Sequence, residues 1–297
     1  MQLSYQVKLP NNFRVQDFLS FYLRDPHSPS EKIDGQTIIK ALMYQQQPAL
    51  LSLVFTPSHV QAELQIDNPA KGSYAQEPFN AWIEHITGLQ QDVSGFEQAF
   101  LTHPQLGAII QQQRGLRFAQ TTTPFEAVSW AILGQQVSVA AAVSLRRKLI
   151  QLINHSHSSG FLCYPNAQQV SQFSVEQLRS VGLSNTKAQA LQTVSQQIAG
   201  GVIQIDYQSN AQQVEQLQEQ LLRIRGIGPW TVNYTLMRGC AWLDSSVHGD
   251  AAVQRYLKIV LNQETISAKQ TQAWLAQFAP WRALAAAHLW QSAGLAA

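Results

Sequence analysis

Cysteine is nearly absent from this 297-residue sequence, with Cys163 and Cys240 the only two. They lie far apart with no CxxC spacing, which excludes a disulfide framework and leaves no zinc or iron–sulfur site to be built from them alone. No metal and no other cofactor is expected, and both cysteines read as small buried apolar residues. Long apolar runs are missing as well: no uncharged stretch approaches the ~20 residues needed to cross a bilayer. The first eight residues, Met1 to Lys8, lack the basic-then-apolar layout of a secretion signal. No repeat with a period of 20 to 50 residues is evident, and the many glutamines are scattered rather than in tracts. These absences predict a folded, soluble, cytoplasmic monomer with no membrane partner.

What is present suffices for a substantial core. Hydrophobic residues make up 45% of the chain, and at roughly 100 to 200 residues per domain the length suggests two or three units. The net charge of +2 is modest but uneven: residues 1 to 112 carry 6 Lys and Arg against 10 Asp and Glu, residues 113 to 297 carry 14 against 8. The basic surplus of the C-terminal part suits a polyanion, although an uneven solvated surface has the same charge count.

Short or alternating apolar stretches at Leu3–Val7, Leu50–Phe55 and Ala62–Ile66, broken by Pro and by Asn/Asp clusters, predict strands. Between them Phe18, Leu19 and Tyr22 have helical spacing. From about Pro78 the periodicity is helical throughout. Thr123-Pro124-Phe125-Glu126 combines a capping box with Pro at the first helical position and predicts a helix to Gly134. Ser138 is placed to cap the next helix, through about Ile153. Further helices are predicted from Ser174, with Gln177 as capping partner, from Ser184 to Ala199 and from Asn210 to Arg223, with Gly182 and Gly200 in the left-handed position that ends a helix. The fold class is therefore α+β: a small N-terminal sheet-plus-helix domain over residues 1–112, then an all-α core over residues 113–297.

The most informative stretch is Leu222-Arg223-Ile224-Arg225-Gly226-Ile227-Gly228-Pro229-Trp230-Thr231. It joins two predicted helices through a tight turn in which Gly226 and Gly228 let the backbone bend sharply and approach a ligand closely. The free N–H groups of such a turn, and of the helix that starts near Pro229, favour a phosphate. A backbone grip of this kind positions DNA without reading its sequence. Gly-x-Gly alone also serves as a plain connector, but the whole string is similar to the hairpin signature of the helix-hairpin-helix DNA glycosylases. That resemblance assigns the phosphate grip to Ile224, Gly226 and Gly228.

In that superfamily a loop about twenty residues beyond the hairpin ends in a catalytic Asp, which here is Asp250. The same residue starts the helical run Ala251 to Leu257 and reads equally as an N-cap; the two roles are compatible, because a helix N-terminus favours an ionised carboxylate. Cleaving an N-glycosidic bond develops positive charge on the sugar, and a fixed anion in a dry pocket stabilises it far better than water does. Asp250 is also placed to polarise or deprotonate the attacking water. Members that also nick the backbone carry a Lys nucleophile just after the hairpin turn. Here Trp230 stands there, which implies base release without strand cleavage.

The resemblance narrows to the bacterial DNA-3-methyladenine glycosylase II family along nearly the whole chain. It rests on Pro124-Phe125-Glu126, Ala131 to Gln135 with Val137 to Ala140, the hairpin through Tyr234, Arg238-Gly239, Asp250, Pro280-Trp281-Arg282 and His288-Leu289-Trp290. It implies a β-rich N-terminal domain, a helical core split by a DNA-binding cleft, and excision of 3-methyladenine and related alkylated bases from double-stranded DNA. Trp230, Tyr234, Trp281 and Phe125 are assigned to the base pocket. Gln135 and Gln136 are assigned to the wedge that fills the gap left by a flipped base. Where the best-known member has an aliphatic wedge this chain has Gln136, Val247-His248-Gly249 lacks the proline common before the catalytic Asp, and Ala251 replaces a bulkier aromatic. An oxidised or deaminated base as target, or a non-catalytic damage-binding module, are the alternatives; His248 reads either as a loop residue or as a DNA contact.

Overall fold

The computed structural model describes residues 1–69 and 74–292. Strands β1 (Gln2–Lys8), β2 (Glu31–Asp34), β3 (Thr37–Tyr44), β4 (Gln47–Phe55) and β5 (His59–Ile66) form one antiparallel sheet in the order β1-β5-β4-β3-β2. Helix α1 (Val15–Tyr22) connects β1 to β2, and α2 (Gln76–Ile86) follows β5. Phe18, Leu19 and Tyr22 of α1 and Phe79, Trp82, Ile83 and Ile86 of α2 share one core with Leu51, Leu53 and Leu64 of the sheet.

The sequence pattern shows β1, β4 and β5 but hides β3. A strand alternates visibly only when one face is wet, whereas in β3 Ile38 and Leu42 enter the sheet core while Ala41 and Met43 pack on Cys163 from the helical part.

The helical part consists of α3 (Val93–Phe100), α4 (Gly107–Gln112), α5 (Pro124–Gly134), α6 (Val139–Ile153), α7 (Ala167–Ser171), α8 (Val175–Ser180), α9 (Asn185–Ala199), α10 (Ala211–Leu222), α11 (Pro229–Cys240), α12 (Ala251–Val260), α13 (Ala268–Ala276) and α14 (Arg282–Ser292). It has two cores. Helices α5 to α11 build one; α3 and α4 pack with α12 to α14 in the other, so the second core runs across residue 112. Helix α11 joins them, with Val232, Leu236 and Cys240 in the first and Met237 in the second.

Most caps follow the sequence. Ser138 accepts from the Ala141 amide, and Ser174 and Asn210 form capping boxes with Gln177 and Gln213. At α5 only half of the expected box forms: Thr123 accepts from the Glu126 amide, but the Glu126 carboxylate turns into the interior. There it lies 2.6 Å from Lys40 Nζ and 3.2 Å from Arg146 Nη2, and it accepts from the Thr122 amide and hydroxyl. Glu31 completes the cluster, 3.0 Å from Arg146 Nη1 and 3.3 Å from Lys40 Nζ. Burial alone raises a carboxyl pKa, but Lys40 and Arg146 outweigh it and hold Glu126 at about 2. This buried group of charges ties β2 and β3 to α5 and α6.

Helix α11 runs through Gly239 to Cys240 and ends with Ala241 in the left-handed region at φ 51°. A side chain at Gly239 would put its Cβ 2.9 Å from Ala127 Cβ and 3.0 Å from Pro124 Cα, so the glycine permits the close crossing of α5 and α11. Gly182 has the expected positive φ of 104°, whereas Gly200 stays at −82° and Gly201 makes the left-handed turn.

Candidate active site

Asp250 caps α12, and its carboxylate is held by N–H donors from three directions. Oδ1 accepts from the amides of Ala252 at 2.9 Å and Val253 at 3.1 Å, and from Trp290 Nε1 at 3.0 Å; Oδ2 accepts from Trp230 Nε1 at 3.1 Å. The helix amides and the two indoles fix both position and rotation of the carboxylate. Oδ2, with a single donor, keeps acceptor capacity for a further partner.

The residue lies in a cleft of about 1400 Å³ bounded by α1, α5, the hairpin, α11, the start of α12 and α14. That volume exceeds the few hundred to 1,000 Å³ of ordinary small-ligand pockets. Along α11, Trp230, Tyr234 and Arg238 are spaced four apart and so form a stripe on one face, and all three line the cleft. The Trp230 and Tyr234 rings are 5.3 Å apart at 33°. Basic groups dominate the lining: Arg24, Arg117, Lys187, Arg238 and Arg255 against Asp17 and Asp250. A separate polar hollow of about 710 Å³, between the β3–β4 turn and the segment around His155 and Asn166, shares no residue with the cleft.

The hairpin is the connection between α10 and α11. Gly226 has φ 91°, and a Cβ there would stand 2.9 Å from Thr186 Cγ2 of α9, so both backbone and packing demand glycine. Gly228 is the N-cap of α11 with open space beside it. Among the described residues the amides of Gly226 and Gly228 have no hydrogen-bond partner. Ile224 differs from its sequence assignment. Its amide donates to Leu221, its carbonyl accepts from Ile227, and its side chain is buried in the helical core, so it anchors the turn rather than presenting a free group.

Two of the four aromatics expected in the pocket are elsewhere. Phe125, on the first turn of α5, is 5% exposed and packs into the core that α5 shares with α9 and α11. Trp281 precedes α14, donates to Asp92 at 3.2 Å and meets the Phe100 ring edge-on. Trp290, two and a half turns further along, reaches Asp250 instead. Both tryptophans stand in resemblance-bearing motifs, and nothing local to either says which one the helix turns toward the cleft.

The two glutamines also part company. Gln135 Nε2 donates to the Gly226 carbonyl and the Thr231 hydroxyl, both at 2.8 Å, and so ties the end of α5 to the hairpin. Gln136 is exposed at φ 53°, followed by the exposed Val137 and Val139 on the lip of the cleft. His248 bonds through its ring to Ser246 at 3.0 Å, and burial holds its pKa below the usual value. The contributions of Phe21 from α1 and of Arg24 just past its end to the cleft lining have no signal in the sequence, because this segment is remote in the chain from every motif.

A family model for the HhH-GPD superfamily, described as base excision DNA repair protein, matches residues 129–280. The DNA-3-methyladenine glycosylase of Bacillus subtilis is 21% identical over 290 residues, covering 96% of this chain and 95% of that one. The DNA-3-methyladenine glycosylase 2 of Escherichia coli is 27% identical over 191 residues, 64% of each chain. Among solved structures, a 3-methyladenine DNA glycosylase from Archaeoglobus fulgidus superposes with a TM-score of 0.79 at 18% identity, over 97% of this chain and 98% of that one. An 8-oxoguanine glycosylase/lyase from Clostridium acetobutylicum, in complex with double-stranded DNA, gives 0.72 at 15% identity, over 99% and 97%.

Proposed function

The chain belongs to the HhH-GPD superfamily of base excision DNA repair proteins, and from that premise we propose that it is a monofunctional DNA glycosylase that flips an alkylated base out of the duplex and hydrolyses its N-glycosidic bond. One observation carries the reading: the Asp250 carboxylate, clamped by Trp230, Trp290 and the α12 amides, opens on the same cleft as the free amides of the hairpin.

The hairpin amides grip a backbone phosphate, Gln136 and Val137 stand where a duplex would be opened, and Trp230 with Tyr234 offers aromatic faces to the extruded base. As the bond between C1′ and the base lengthens, the sugar acquires positive charge and Asp250 stabilises it. Water adds to C1′ and passes its proton to Oδ2, the carboxylate oxygen with capacity to spare. An alkylated ring nitrogen makes the base both a better leaving group and a better partner for aromatic rings. With Trp230 at the position after the hairpin turn, no amine there can form a Schiff base with the sugar, so the product is an abasic site on an intact strand.

The test is to incubate the protein with methylated duplex DNA and identify the released bases by chromatography. Release of 3-methyladenine is expected; release of no base at all overturns the reading.

A further inference from the structure

Three segments far apart in the chain meet behind the lip of the cleft: the end of α5, the first turn of α9 and the hairpin. Gln135, the residue that ends α5, joins two of them directly. Its Nε2 donates to the Gly226 carbonyl and to the Thr231 hydroxyl, both at 2.8 Å. Two residues earlier, the Leu133 carbonyl accepts from Lys187 Nζ of α9 at 2.9 Å, which puts a cation where the negative end of a helix favours one. Gly226 in turn packs on Thr186 of the same α9 turn.

The lip starts one residue after Gln135. Gln136 holds a φ of 53° and is exposed, as are Val137 and Val139. A non-glycine residue in the left-handed region is strained and persists only where its surroundings over-determine it. On one side Gln135 and Lys187 fix the chain; on the other, Ser138 caps α6 by accepting from the Ala141 amide. The lip is a short strained bridge between two anchored helix ends, and one anchor is the hairpin itself.

Gly226 has two polar sides. Its amide has no hydrogen-bond partner among the described residues, whereas its carbonyl is spent on Gln135. Whatever orders Gly226 therefore orders Gln135, and with it Gln136. Thr231, the second acceptor, is next in the chain to Trp230, whose indole holds Asp250. We infer that Gln135 is a positioning residue that joins the hairpin to the lip, so that gripping the DNA backbone and opening the duplex are one coupled step. The inference rests on the glycosylase reading of Asp250. Extruding a base breaks its stacking and pairing, and contacts to the backbone offset that cost only through a rigid link between the groups that grip and the groups that open. Without the Gln135 link the hairpin still grips and Asp250 still meets a base that is already extruded; the passage from one to the other is what slows.

The test compares two duplexes that carry 3-methyladenine next to 2-aminopurine, one fully paired and one in which the damaged base is an unpaired single-nucleotide bulge. The rise in 2-aminopurine fluorescence reads opening, single-turnover base release reads chemistry, and anisotropy with an undamaged duplex reads the grip. Gln135→Leu keeps the side-chain bulk and removes the donor. It is expected to slow both opening and release on the paired duplex by about fivefold or more, the lower end of ordinary coupling between sites, and to leave release from the bulge and affinity for undamaged duplex within about twofold of wild type. Gln135→Glu, equal in length but with an acceptor facing the Gly226 carbonyl, is expected to lose more on the paired duplex, which a mere space-filling role does not predict. Equal losses on paired and bulged duplexes, a fall in undamaged-duplex affinity as large as the fall in rate, or unchanged opening in either variant overturns the inference and leaves the glycosylase reading standing. A wild type that releases the base from neither duplex sinks both.

Discussion

Trp290 Nε1 lies 3.0 Å from Asp250 Oδ1, a contact between residues 40 positions apart in the chain. With Trp230 on the other oxygen it makes the carboxylate the meeting point of α11, α12 and α14. In the proposed reaction an anion held this firmly needs little reorganisation as charge develops on the sugar, which is the main source of rate enhancement in preorganised sites.

Asp250→Asn keeps a competent helix cap, so the variant is expected to fold and bind DNA. Base release from alkylated duplex should fall by about 100-fold or more. Release at near wild-type rate would remove Asp250 from the mechanism.

Trp290→Phe keeps an aromatic ring but deletes one donor to the carboxylate. Hydrogen bonds to charged groups contribute about 1.5 to 3 kcal/mol, so the single-turnover rate should drop by roughly 10- to 100-fold while affinity for the duplex falls much less. Trp281→Phe, at the position that bonds to Asp92 instead, should leave the rate within about twofold of wild type. Equal losses for the two variants would contradict the placement of Trp290.

Borohydride added during turnover should trap no covalent protein–DNA adduct. Among the described residues Lys187 is the only lysine lining the cleft, and its Nζ is engaged at 2.9 Å by the Leu133 carbonyl at the end of α5. An adduct detected by gel shift would expose an amine nucleophile and end the monofunctional assignment.

Gly226→Ala forces a side chain into the left-handed region and against Thr186. A cost of about 1 to 3 kcal/mol in unfolding free energy is expected, together with weaker binding of damaged and undamaged duplex alike, as the proposed hairpin grip on phosphates rather than bases requires. A binding loss confined to damaged DNA would refute the grip.

Acid should destabilise the protein in two stages. Burial lowers the pKa of His85 to about 4 and of His288 to about 3. Both stay neutral in the folded chain while the unfolded chain takes up protons below the ordinary histidine value near 6.5, so stability is full above that value and falls as pH drops beneath it. The loss is roughly 2 kcal/mol per histidine at about pH 5. Glu126 has its pKa lowered from 4.5 to about 2, so its contribution is intact above 4.5 and is lost as pH falls toward 2. Urea melts from pH 7 to 3 check this; constant stability between pH 7 and 5 would rule out neutral buried histidines.

Much of the helical part was legible in the sequence because caps are local. Ser138, Ser174 and Asn210 bond to amides three residues on, and such pairs need nothing from the rest of the chain. The hairpin was legible for the same reason: the positive φ of Gly226 and the proline after Gly228 are properties of a few consecutive residues. The role of Gly239 was not legible, because a glycine that ends a helix and a glycine that lets another helix approach look alike until Pro124 and Ala127 of α5 are set against it.

The sequence alone determined the α+β order of elements, the tight glycine turn between α10 and α11 and the acidic cap at Asp250, since each follows from backbone preferences and side-chain reach within one or two turns. Tertiary structure decided which aromatic meets that acid, Trp290 and not Trp281, and sent Phe125 and Ile224 into the core. It also brought Arg24, at the end of the N-terminal helix, to the cleft. Those outcomes depend on how helices rotate about their axes when two cores and a sheet are packed together, and no stretch of neighbouring residues carries that information.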